Sequence, residues 1–560
     1  MTAAARKSFP QPIIRTAWNS FNALQIAALN PPALKAVISI ASTVDRYNDD
    51  IHYKNGCHLS AQLSWAATML AYQSRSPDPA IVGDRWREMW LERINNEPFF
   101  MEEWLNHQRL DEFWKHGSIC EDFDGFKVPA LVIAGWADGY RNTPFKAVQG
   151  VGNHAKGVIG PWIHKYPHFA WPRPRWDFHA EAIAWWRKWL CDEDTGADAV
   201  PQMRAYILDG PAPALRREYD RGYWVAIPQW RQPTMRTFGV NGSGRLAEGS
   251  VPGVGVILVQ SSLDTGTAAG EWFTLKPDAE MAGDQRGDDA GSLTFQTAPL
   301  EEELILLGLP RIKVDLSSNE VCGNLIVRLV DVHPDGAATR VSLGILNLAH
   351  RNSNETPTPM PIGQPVRIEL DLDACGYRLA PGHCLRLAIS TAYWPTVLPP
   401  PRNAALTVDT DSLALELPML GDHQRIEMPE PANPDPLPRH VDHTPSVSKR
   451  IVERDLNAGV TIYKIHEDTG LSEHPQNGLI AQDVRSEEWS ITNGDVLSMG
   501  GQTQWRNVLQ RGDWKTTTVS STTISCSDTE WIVSADVSAF ENDVEIASRS
   551  YAFTVRRDFM

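Results

Sequence analysis

Asp138, in GWADGY, and His164, in GPWIH, lie 26 residues apart, and each closely follows an apolar run. Histidine titrates near working pH and can pass a proton in either direction. A carboxylate beside it fixes the imidazole tautomer and stabilises the imidazolium. An acid that precedes the histidine matches the chain order of an acyl-transfer triad. The nucleophile of such a triad comes first, on a G-x-S-x-G turn between a strand and a helix. The corresponding stretch here is IIRTAWNSF, with Arg15, Thr16, Ala17, Trp18 and Asn19 at the five turn positions. Alanine therefore stands where the nucleophilic serine is required. Ser20 lies about one helical turn past that point, too far to substitute, since a displacement of ~1 Å already costs on the order of a hundredfold.

Those residues need a sheet to hold them. Ile13-Ile14 predicts a strand, and Phe21, Leu24, Gln25, Ala28 and Leu29 recur at helical spacing after it. Ala36–Ile40 predicts a second strand. ALVIAG before Asp138 and the run from Lys156 towards His164 read as buried parallel strands. A helix follows in WDFHAEAIAWWRKWLCDEDTG, with Gly196 as its expected stop. Residues 1–196 are thus expected to form an α/β domain, with a helical cap at about 45–125. From 197 to 428, period-2 alternation as in RIKVDLSS and NLIVRLVDV, broken by turn signals, predicts a jelly-roll β-sandwich. A proline-rich linker at 429–440 precedes a β-rich extension, 441–560. The fold class is α/β plus all-β.

The bulk composition narrows the partners. The formal charge of −17 argues against nucleic acid and anionic membranes. Seven scattered cysteines with no C-x-x-C pair predict reduced thiols and a cytoplasmic location. No apolar run is long enough to span a membrane, and the N-terminus lacks a signal-peptide core. The 21 tryptophans are read as packing residues. No metal or cofactor is expected. His164 and His168 are separated by Pro167, and DVHPDG (331–336) and DLDA (371–374) read as turns rather than calcium loops.

Taken in order, TAWNSF, GWADGY, GPWIHKYPH, the stretch 288–310 and YRLAPGHCLRLAISTAYWP make the chain resemble the CocE/NonD hydrolases, relatives of the bacterial X-prolyl dipeptidyl-peptidases. The likeness spans roughly residues 12–420. It implies a serine hydrolase of the α/β-hydrolase fold, acting on esters, amides or short peptides. Asp138 and His164 would take the acid and base roles, Ala17 the vacant nucleophile position, and the Trp18 backbone N–H part of the oxyanion hole. The family pattern has a longer segment before the turn, so the chain is expected to be an N-terminally truncated and inactive copy. Its sheet would then have an exposed edge that favours homo-oligomers. The alternative is a non-catalytic binding or scaffold protein that uses the jelly roll.

Overall fold

The computed structural model describes residues 11–16, 18–249, 252–276, 278–432 and 440–560. Five strands run parallel in chain order: β1 (Gln11–Thr16), β2 (Leu34–Ile40), β3 (Ala130–Gly135), β4 (Ala155–Gly160) and β5 (Met203–Asp209). Both faces of this sheet are covered, which explains why β3 is apolar and buried at every position. Val37, Val132 and Ala155 pack with Ala23, Leu24 and Ala27 of α1 (Trp18–Ala28) and Val148 of α2 (Thr143–Val151). The alternate residues Ile38, Ile133 and Val158 join a second core with Trp185 of α3 (Phe178–Cys191). The Asp177 side chain caps α3 by accepting from Ala180 N at 3.3 Å. The helix ends sooner than expected. Asp192 adopts the left-handed conformation, φ 57°, four residues before Gly196, and its N–H bonds the Arg187 carbonyl.

The segment between β2 and β3 is largely helical, as expected, and includes α4 (Ala61–Gln73), α5 (Trp86–Asn96) and α6 (Met101–Asn106). Beyond β5 the chain builds two antiparallel sheets that face one another. One contains Arg311–Ser318, whose inward residues alternate as its sequence predicts. The other contains β6 (Asn324–Val332), β7 (Ala338–Asn347) and β9 (Cys384–Ser390). The parallel sheet does not stop at residue 196. β5 pairs with β4 on one side, and Leu208 and Asp209 pair in parallel with β8 (Cys375–Leu379) on the other.

Residues 441–560 form a nine-stranded antiparallel sheet that includes β10 (Val460–Asp468), β11 (Leu479–Thr492) and β12 (Asp495–Arg511). The expected turn at 541–543 is present, with Asn542 and Asp543 both at positive φ, which suits a two-residue hairpin. One face of this sheet is not solvent-exposed. Tyr463, Ile465, Trp489 and Ile491 share a core with Leu63 and Leu70 of α4, and Trp505 packs on Ala67 and Ala71 of the same helix. The extension is built onto the helical segment. Among the described residues, no helix is long and apolar enough to cross a membrane.

Candidate active site

Asp138 and His164 come together just beyond the carboxyl ends of the adjacent strands β3 and β4, where open α/β sheets assemble their sites. Two backbone hydrogen bonds tie the turns that carry them: Trp136 N to Gly160 O at 2.9 Å and Ala137 N to Trp162 O at 3.0 Å. Gly135 is required for this approach, because a Cβ there would lie 2.0 Å from the Trp162 carbonyl oxygen. The His164 main chain is held in turn by the Thr274 carbonyl at 2.9 Å.

His164 Nδ1 lies 3.1 Å from each carboxylate oxygen of Asp138. The Asp138 side chain is fully buried, whereas that of His164 retains 12% exposure. Asp138 Oδ1 also accepts from Tyr140 N at 3.2 Å. A hydrogen bond from Nδ1–H to the carboxylate assigns the tautomer with its lone pair on Nε2, the nitrogen that a general base needs. His164 lines a cavity of about 320 Å³. Phe273 stands edge-on to its ring at 5.4 Å, and Tyr140 lies 5.7 Å away. The Tyr140 hydroxyl donates to Asp50 at 2.8 Å, and Asp50 pairs with Arg46, whose guanidinium covers the Phe21 ring at 4.0 Å. Burial pushes up both the Asp50 carboxyl and the Tyr140 phenol, the first against the opposing pull of Arg46.

Position 17 and the side chain of Trp18 lie outside the described residues. β1 ends at Thr16 and α1 begins at Trp18, so a strand and a helix flank the turn, as the motif reading requires. Phe21, in the first turn of α1, lines the same cavity as His164.

The far wall of the cavity comes from the C-terminal sheet, through Tyr463 and Ile465 on β10, Arg485 and Trp489 on β11, and Trp505 on β12. Ser64 of α4 donates to Glu487 at 2.8 Å, and Arg485 binds the other oxygen of that carboxylate at 2.7 Å. Near this wall three carboxylates, Glu271, Glu280 and Glu467, converge on the guanidinium of Arg450. Arg450 fills the space a cation would take. Glu280 is pushed up to about 7 by burial and by the neighbouring Glu271 charge. Sequence reasoning missed this wall entirely. Its residues are ordinary strand residues more than 400 positions from Phe21, and only the packing of the sheet on α4 reveals them.

Residues 16–166 match the family model of the X-Pro dipeptidyl-peptidase (S15 family), and residues 195–432 match that of the X-Pro dipeptidyl-peptidase C-terminal non-catalytic domain. The chain belongs to the CocE/NonD and X-Pro dipeptidyl-peptidase-like hydrolases. Cocaine esterase of a Rhodococcus species is 23% identical over 334 residues, 53% of this chain and 54% of the esterase. The chain thus spans about half the length of the curated relatives it matches. An α-amino acid ester hydrolase superposes with a TM-score of 0.58 at 19% identity, covering 73% of this chain and 77% of the hydrolase. A Staphylococcus aureus CocE/NonD family hydrolase superposes at 0.52 and 14% identity, covering 70% and 69%. These likenesses establish the fold, an α/β-hydrolase domain followed by a C-terminal β domain. Neither family match extends into residues 440–560.

Proposed function

We propose that this family member keeps the proton-relay half of an acyl hydrolase and binds acyl compounds without forming an acyl-enzyme. The observation that carries the reading is the Asp138–His164 pair, 3.1 Å apart and facing an aromatic-lined cavity. In this reading Asp138 orients His164, and the Trp18 N–H is an oxyanion donor. A serine at position 17 would give its proton to His164 Nε2 while attacking the substrate carbonyl. The imidazolium would then protonate the leaving group. Ala17 has no group to attack with, and loss of a triad serine costs roughly a million-fold in a model protease. The ligands are small esters, amides or short peptides with a bulky neutral apolar group. Aromatic side chains such as Phe21, Phe273, Trp489 and Trp505 line the walls, and the charges that also line them are paired within the protein, as Arg46 with Asp50, Arg485 with Glu487 and Lys276 with Glu467.

The seven cysteines are all unpaired, which suits a reducing compartment such as the cytoplasm. Among the described strands β1 pairs with β2 alone, and self-association through that edge accompanies the reading.

The test compares the native chain with Ala17→Ser using a fluorophosphonate label and a p-nitrophenyl ester burst. The native chain should give neither signal. The serine variant should label, and adding His164→Ala should abolish the labelling. A stoichiometric burst from the native chain would overturn the reading. So would a folded serine variant whose labelling ignores His164. A second reading, binding or scaffolding through the β domains, draws support from the extension that walls the cavity. Ligand binding that survives complete filling of that cavity would favour it.

A further inference from the structure

At one end of the jelly roll, away from the cavity, side chains from two neighbouring turn regions meet. Asp331 is the penultimate residue of β6, and its carboxylate is fully buried. His333 opens the tight turn to β7, closed by His333 N to Ala337 O and Gly336 N to His333 O, each 2.8 Å. The DVHPDG stretch is therefore a hairpin turn, as its sequence suggests. His383 arrives from the turn between β8 and β9, 52 residues after Asp331. The three ligand atoms lie within 4.8 Å of one another, and the two imidazole centroids are 4.6 Å apart.

We infer that Asp331, His333 and His383 form a binding site for a divalent first-row transition ion of the zinc class. Ligands about 2.0–2.1 Å from such an ion in a tetrahedral site stand about 3.3 Å from each other. His383 Nδ1 is 2.8 Å from Asp331 Oδ1, and His333 Nε2 is 3.6 Å from the other oxygen, Oδ2, so the two imidazole nitrogens approach the two ends of one carboxylate at separations near that edge. Two imidazoles and a carboxylate suit zinc, cobalt or nickel better than calcium or magnesium, which prefer all-oxygen sites. Both imidazoles are 12–14% exposed, so a water can reach the fourth position.

Charge balance points the same way. A buried carboxylate needs a compensating charge. Among the described residues, no Lys or Arg forms an ion pair with Asp331; its ion pairs are to the two histidines. Arg217, whose charge reaches Tyr377, is paired with Asp220 at 3.6 Å. The Tyr377 hydroxyl donates to Asp331 Oδ2 at 2.9 Å and orients the carboxylate, as the outer partners of metal ligands do. Burial and the Asp331 charge keep that phenol protonated. Thr339 Oγ1 gives its hydrogen to the Pro211 carbonyl at 2.8 Å, so at 3.2 Å it can only accept from His333 Nε2. Nε2 therefore carries the hydrogen in the metal-free protein. Loading requires that hydrogen to move to Nδ1, which frees the Nε2 lone pair for the ion.

The test uses the full-length, tag-free chain stripped with a chelator and titrated with Zn(II) against a chromophoric competitor and with Co(II) by visible absorption. One equivalent should bind, with the intense visible bands of four-coordinate cobalt. His333→Ala and His383→Ala should each weaken binding by at least about tenfold while the far-ultraviolet spectrum is unchanged. Binding that both variants retain would overturn the inference and place the ion elsewhere. Absence of binding tighter than ~100 µM would also overturn it, leaving a hydrogen-bonded His–Asp–Tyr cluster only.

Discussion

The hydroxyl of Ser64, on helix α4, donates to Glu487, on the C-terminal sheet, at 2.8 Å across 423 residues of sequence. The helix that carries Ser64 and the strand that carries Glu487 are two walls of the cavity that His164 enters. Residues 440–560 therefore supply part of the lining of that cavity.

The first prediction concerns that wall. Trp505→Leu should weaken binding of a neutral aromatic amide such as 4-phenylbutyramide by about tenfold, the loss expected on removing ~1.4 kcal/mol of aromatic contact. Thr68→Trp, which fills the cavity from the α4 side, should abolish it. Val544→Ala, at an exposed position of the same sheet, should leave binding unchanged. Isothermal calorimetry reads all three.

Asp138→Asn tests the relay in the Ala17→Ser background. The amide keeps the shape but favours the wrong imidazole tautomer, so kcat should fall by up to about 10⁴. KM should hardly move, because the group does not touch substrate. An equal loss in KM alone would assign Asp138 a binding role.

Gly135→Ala should be costly far beyond one methyl group. The new Cβ meets a backbone oxygen, which cannot rotate away. We expect about 1–3 kcal/mol of destabilisation in urea unfolding, the usual cost of overpacking. His164→Ala should not show it.

Glu97 sets a pH dependence of stability. Burial pushes its carboxyl up to about 7, against the pull of Ser74, Arg549 and Arg93. Ser74 Oγ lies 2.6 Å from the Leu70 carbonyl and 2.7 Å from Glu97 Oε1. The folded state then binds more protons than the unfolded state between about pH 4.5 and 7, and stability falls as pH rises through that window. Glu97→Gln should flatten the fall by about 1–2 kcal/mol, after allowance for the part of the side chain that water screens. Urea titrations at pH 5 and 7.5 measure it.

Local patterns in the chain reveal some of this architecture. The unbroken apolar run at Ala130–Gly135 marks a strand covered on both faces, and the alternation at Arg311–Ser318 marks a sandwich strand. Asp138 and His164 were legible because each closely follows such a strand. Other features depend on contacts that no local pattern encodes. Asp192, rather than Gly196, ends α3 because an aspartate can take the left-handed turn. The approach of His383 to Asp331 and His333 depends on β9 pairing with β6. The aromatic residues Trp489 and Trp505 read as strand packing, and what they pack against is a helix 400 residues earlier.

The hydrogen bonds of the parallel sheet pass through β5 into β8, although the two family matches part company between residues 166 and 195. The seam between modules in the gene is therefore not a seam in the molecule. A recombination event that exchanged either module alone would leave torn strand ladders on both products, so these two segments are expected to descend together.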